Sequence, residues 1–185
     1  MKKIVLLAAL SIFALAECQL QSLQWTAFKT PLKVGVKGTF DKIDFAKGDG
    51  CLEGAKVHID KSSVDTKNPG RDKILRLFFF DRLKGPIEAK ILKVHEKTLD
   101  VAITLNDKTK TIPFFYTKKD GLIHAKGVID LFDFGASKAL SSIAKACFDK
   151  HQGKTWNDVE LGFTINAQST MQKAKKALES FKSMM

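Results

Sequence analysis

The sequence lacks a membrane span. After the first fifteen residues, every apolar run is broken by Lys, Asp, Glu or Gly within about ten residues, short of the ~20 that a spanning helix needs. It also lacks the common catalytic signatures: no G-x-S-x-G, H-E-x-x-H or phosphate-binding Gly-rich loop occurs. Ser62 and Ser63 have no nearby His to activate them. The four histidines, His58, His95, His124 and His151, never share a helix face at metal-ligand spacing. Cys147 and His151 lie four apart, but two ligands leave a metal site incomplete. No catalytic residue, metal site or cofactor is therefore assigned. Internal repeats and low-complexity segments are absent too.

The chain of 185 residues carries a net charge of +11. No block of five or six basic residues concentrates that charge. With the exported location argued next, nucleic acid is not an expected partner. The charge either keeps a solvated surface soluble or attracts anionic lipid head groups.

The N-terminus sets the compartment. Lys2 and Lys3 precede an apolar stretch, residues 4–15, and Ala14-Leu15-Ala16 supplies small residues at a peptidase site. This order is that of a secretory signal, with cleavage expected after Ala16 and a periplasmic mature protein. Removing Lys2 and Lys3 lowers the charge from +11 to +9. Two alternatives are an uncleaved anchor and a lipoprotein modified at Cys18, although Glu17 fits the latter poorly. Three cysteines, Cys18, Cys51 and Cys147, then face an oxidising compartment. Because Cys18 lies next to an expected frayed terminus, Cys51–Cys147 is the candidate disulfide, against free thiols throughout.

The dominant pattern is alternation. Val34, Val36, Gly38 and Phe40 alternate with polar or small residues, as do Leu99, Val101, Ile103 and Leu105. Ile123 to Leu131 and Val159 to Ala167 repeat the pattern. Period two marks strands with one buried and one solvated face. Shorter strand candidates lie at 25–28, 55–61, 86–94 and 109–116, for about eight strands. Asn106-Asp107 and Asp120-Gly121 suit tight hairpin turns, which make neighbours antiparallel. Residues 71–80 and 137–150 have helical spacing, the second with Leu140, Ile143, Ala144, Cys147 and Phe148 on one face. Residues 168–185 form a basic amphipathic pattern with Met171, Ala174, Leu178 and Phe181 in a stripe. It suits either a helix packed on its own domain or one lying on a membrane. The expected organisation is a signal peptide over 1–16, a β domain over 17–167 and a C-terminal helix over 168–185. The fold class is mainly β, with eight antiparallel strands in a sandwich or a barrel, and with short inserted helices.

The most distinctive stretch is Ser62-Ser63-Val64-Asp65-Thr66-Lys67-Asn68-Pro69-Gly70-Arg71-Asp72-Lys73-Ile74-Leu75, followed by Phe78-Phe79-Phe80. With Gly38-Thr39-Phe40, Lys110 before Ile112-Pro113, Ala125-Lys126-Gly127 and Asp133-Phe134-Gly135 in the same order, it resembles the YceI-like family of bacterial periplasmic proteins. The resemblance spans roughly residues 33–167. It implies an eight-stranded lipocalin-like barrel that binds a polyisoprenoid or fatty-chain lipid in an elongated pocket, with no metal and no settled catalytic activity. The chain departs from the family where a D-x-x-H-S strand is usual, having Leu23-Gln24-Trp25-Thr26 there.

If the barrel is hollow, Val34, Val36, Ile59, Val101, Ile103, Phe114, Ile129 and Phe163 are the expected lining, with Ile74 and Phe78 from the motif helix. Arg71 either latches the motif loop through Asp65 or Asp72 or meets a ligand head group. The function classes carried forward are a binding or carrier protein for a long apolar chain, an enzyme acting on such a lipid, and a filled barrel used for interactions. Oligomeric state is not legible.

Overall fold

The computed structural model describes residues 18–30, 32–168, 178–179 and 181–182, without the side chain of His151. The signal peptide expected over 1–16 lies outside the described residues, as does most of the helix expected over 168–185. Of that helix, Leu178, Glu179, Phe181 and Lys182 are helical and exposed. No described helix is long and apolar enough to cross a membrane.

Ten strands form one antiparallel sheet curled into a half-barrel. They are β1 (Gln19–Lys29), β2 (Val34–Phe40), β3 (Ile43–Ala46), β4 (Lys56–Ile59), β5 (Val64–Asp65), β6 (Ile87–Val94), β7 (Thr98–Leu105), β8 (Lys108–Lys119), β9 (Leu122–Asp130) and β10 (Thr155–Asn166). Their order in the sheet is β3-β4-β6-β7-β8-β9-β10-β1-β2-β5. The expected count of eight omits β3 and β5, which are four and two residues long and too short to show a period. The expected closed barrel is likewise replaced by a sheet with two edges, β3 and β5. Those edges belong to one bent hairpin. β2 runs through Asp41-Lys42 into β3, and β4 runs through a 3-10 turn at Lys61–Ser63 into β5, so the same pair of segments bounds both sides of the sheet.

Sequence chemistry accounts for the long meander. The alternation in β7 buries Leu99, Val101, Ile103 and Leu105, and that in β9 buries Ile123, Ala125, Gly127 and Ile129. Asn106 and Asp107 both take positive φ, 53° and 57°, between the paired residues Leu105 and Lys108. This is the mirror-image turn whose twist matches the flanking strands. Asp120 and Gly121 repeat it between β8 and β9.

Three helices follow from local signals. α1 (Pro69–Phe78) begins where Asn68 Oδ1 accepts the Arg71 N–H at 2.9 Å, with Pro69 in the first turn. The helix expected over 137–150 is broken into α2 (Ser137–Ala146) and α3 (Phe148–His151), because Cys147 leaves helical geometry at φ −119° and ψ 34°. α1 packs against α2, and α2 packs against β10.

The two ends of the half-barrel are closed differently. The helices lie at the end that carries the β7–β8 turn, where Asn106 Nδ2 donates to the Phe134 carbonyl at 2.9 Å and Asn106 Oδ1 accepts from the Lys84 N–H at 3.0 Å. The opposite end is filled by the loop over 47–55, with Cys51 and Leu52 buried. A Cys18–Cys51 disulfide, with Cα atoms 5.3 Å apart, ties that loop to the start of β1. The expected Cys51–Cys147 pair is therefore wrong, and Cys147 is a free thiol. The reason is that Cys18 adjoins a paired strand. β1 starts at Gln19, directly after Cys18, and is paired with β10 along its length.

Two buried aromatics lie over glycines on neighbouring strands. An added Cβ on Gly127 would stand 2.6 Å from the Phe114 ring, and one on Gly38 would stand 2.3 Å from the Trp25 indole. Gly127→Val is expected to destabilise the protein by about 1–3 kcal/mol through overpacking, read as a lower midpoint in urea. An unchanged midpoint would show that the ring moves aside without cost.

Candidate functional site

Curling the sheet leaves a cavity of about 500 Å³ between its inner face and the helices. That volume lies within the range of small-molecule sites. Period-two strands make the wall apolar, because every inward position of β7 and most of those of β6 and β10 are aliphatic or aromatic. Of the eleven residues expected from sequence, Val36, Ile59, Arg71, Ile74, Val101, Ile103, Phe114, Ile129 and Phe163 line this cavity. Phe114 and Phe163 pack ring against ring, with centroids 5.8 Å apart.

Val34 and Phe78 do not line it. Val34 shares the face of Val36, but it begins its strand beyond the rim and is 47% exposed. Phe78 is the last residue of α1, where the chain turns out of the helix at Phe79 (φ −123°) into a 3-10 turn, Phe80–Arg82. That turn points Phe79 and Phe80 into the cavity instead. Phe80 meets Phe40 edge to face at 5.4 Å and Trp25 at 6.5 Å. Helical spacing continued past its end therefore selects the wrong Phe of the three.

Sequence reasoning also left out Trp25, Leu140, Ile143, Cys147, Lys29, Lys150 and Trp156, all of which line the cavity. The helical stripe of Leu140, Ile143 and Cys147 was visible, but its partner surface was not. Nothing in the pattern marks Trp156, which sits before the alternation of β10 begins.

Arg71 is a latch. Its Nε donates to Thr66 Oγ1 at 2.7 Å and its Nη2 to the Thr66 carbonyl at 2.7 Å. The Thr66 N–H donates to Asp72 Oδ1 at 2.9 Å, and its hydroxyl donates to the same carboxylate. The expected partners Asp65 and Asp72 are thus replaced by Thr66, which stands between the arginine and Asp72. The network fixes the motif loop to the first turn of α1 and places α1 over the cavity. The guanidinium nevertheless reaches the wall.

The remaining polar groups of the wall include Lys29, Lys150, Thr155 and Trp156 at the helical end, and Lys56 and Lys90, paired in register, on β4 and β6. Both indole nitrogens of the protein, Trp25 Nε1 and Trp156 Nε1, are buried without a hydrogen-bond partner. The Cys147 thiol is pushed above its ordinary pKa by burial, against a smaller opposing effect of Lys150. Glu88 is the one carboxylate of the lining, and it is paired with His58 at 3.1 Å. Among the described residues, no group of three or more His, Cys, Asp or Glu is placed to hold a metal ion.

A single antiparallel sheet curled around an apolar cavity, with its helices laid across one end, defines the class of half-barrel proteins with an internal pocket. The model of the YceI-like domain matches residues 19–167, and the chain belongs to that family. Among solved structures, it is similar to a polyisoprenoid binding domain from Saccharophagus degradans implicated in plant cell wall breakdown. The TM-score is 0.57 at 16% identity, over 83% of this chain and 99% of that one. It is also similar to the YCEI protein of Campylobacter jejuni, with a TM-score of 0.51 at 19% identity, over 88% of this chain and 95% of that one. No curated protein sequence matches.

Proposed function

We propose that this chain is a periplasmic binding or carrier protein that holds a polyisoprenoid or fatty-chain lipid inside the half-barrel. The observation that carries this reading is the apolar cavity of about 500 Å³, walled by strands on one side and by Ile74, Leu75, Leu140 and Ile143 of the helices on the other. A long chain lying there sheds water along its length, gaining about 0.8 kcal/mol per buried CH₂ before entropy costs. The S. degradans domain, described as polyisoprenoid binding, supports the ligand class. The signal-peptide pattern supports export, and a Cys18–Cys51 bond suits an oxidising compartment. Contact with an anionic membrane surface during loading belongs to the same reading. Leu32 and Phe148, 82% and 62% exposed, stand beside Lys33, Lys150 and Lys154 at the helical end.

Protein recovered from the periplasm is expected to yield a near-stoichiometric long-chain lipid on organic extraction and mass spectrometry. Cys147 supplies an internal reporter. Its wall position and raised pKa predict slow alkylation near pH 7, slowed at least several-fold further by bound lipid. Lipid-free protein that takes up no long-chain lipid, with Cys147 alkylated equally in its presence, would overturn the reading.

A further inference from the structure

Resting on that reading, we propose that the helical end of the cavity is an oxyanion site. Its ligand is an acidic lipid whose carboxylate or phosphate head meets Trp156, Lys29 and Lys150.

The argument starts from an orphaned donor. Trp156 Nε1–H is buried, has no partner, and belongs to a residue on the cavity wall. A buried N–H left unmade is costly, so an acceptor is expected at that place. The surroundings specify its charge. Lys154 Nζ lies 4.4 Å and Lys33 Nζ 4.8 Å from the centroid of the Trp156 ring. Two ammonium groups against one indole polarise it and strengthen its N–H as a donor. Lys29 pairs in register with Thr155, the neighbour of Trp156, and Lys150 comes from α3 across the same opening. Only one of these cations has a carboxylate partner, Lys33 with Asp158 at 2.7 Å. Asp149, on α3 beside Lys150, is exposed and makes no ion pair. A neutral alcohol or ester would satisfy the indole and leave the field uncompensated, whereas an oxyanion answers both.

The test uses the full mature chain, delipidated, and four probes with one sixteen-carbon tail: hexadecanoate, hexadecyl phosphate, methyl hexadecanoate and hexadecanol. Calorimetry or displacement of a fluorescent lipid gives each affinity. At least one acid is expected to bind about tenfold or more tighter than the ester and alcohol, and the two acids distinguish carboxylate from phosphate. In Trp156→Phe and in the double variant Lys29→Met/Lys150→Met, that preference should fall toward unity, with alcohol binding unchanged in the lysine variant. Lys126→Met, on the outer face of β9, should preserve the preference. Equal binding of all four probes by the wild-type protein, or an unchanged preference in both site variants, overturns the oxyanion site and leaves lipid binding standing. Binding of none overturns the functional reading with it.

Discussion

Loss of the Cys18–Cys51 bond is expected to lower the melting temperature by roughly 7–15 °C. The bond closes a loop with a sequence separation of 33. By chain entropy, a loop of that size restricts the unfolded state by about 3–4 kcal/mol, and each kcal/mol shifts the midpoint of a domain this large by about 2–4 °C. The native state loses more than a constraint. Cys51 and Leu52 fill the end of the half-barrel opposite the helices, so freeing the loop also loosens buried surface. The comparison is between wild type and a Cys18→Ala/Cys51→Ala double variant, with Cys147→Ala as the variant that leaves the bond intact. Peptide mapping without reduction should join the segments containing Cys18 and Cys51 and find Cys147 alkylated. A double variant that melts within about 2 °C of wild type would show that the loop is held by packing alone.

A carboxylate placed on the inner wall should abolish lipid retention. Ile103 is 5% exposed and lines the cavity, while its neighbour Thr104 faces outward, its hydroxyl 2.8 Å from that of Thr109. Ile103→Asp sets a desolvated charge against the ligand chain, a change costing several kcal/mol or forcing the carboxyl to stay protonated. Thr104→Asp adds the same group one residue away, in water. Co-purified lipid is expected to fall more than tenfold in the first and to stay near the wild-type amount in the second. Should Ile103→Asp fail to fold, Ala89→Trp tests the same point without charge, since Ala89 lies on the wall and a Trp side chain extends into the space beyond it. Folded Ala89→Trp protein that keeps its full lipid complement would place the lipid outside the cavity.

The strands of the meander and their turns were legible because two local signals agree there. Alternation along β7 and β9 fixes the buried face, and Asn106-Asp107 and Asp120-Gly121 fix the register. Seven of the nine expected residues that reach the cavity do so for the same reason, since an inward position on one strand is inward on its neighbours, while Arg71 and Ile74 come from α1. The failures are all places where a longer-range contact decides. Val34 has the correct parity, but parity does not say where the rim lies. Phe78 follows helical spacing, but α1 ends there. The cysteine pairing turned on whether residue 19 was ordered, and β1 owes its order to a strand at the other end of the sequence. Trp156, Lys29 and Lys150 come from three elements whose approach no local pattern records.

The pairing of β1 with β10 also governs when the protein can form. Gln19 lies opposite Asn166, and Trp25 lies opposite Leu161. The first strand to emerge can pair with β2 along Trp25–Lys29, but its other edge has no lasting partner until the last strand follows it. Every intervening hairpin can assemble from neighbours, but the sheet is not joined across its oldest edge until nearly the whole domain has been delivered. Sequence-distant pairing of this kind slows the search for the native state and prolongs the exposure of unpaired strand edges. In a cytoplasm that delay invites aggregation. Under the proposed export, which threads the chain unfolded through a narrow pore, the same delay is an advantage, because the architecture would postpone its own completion until transport is nearly finished.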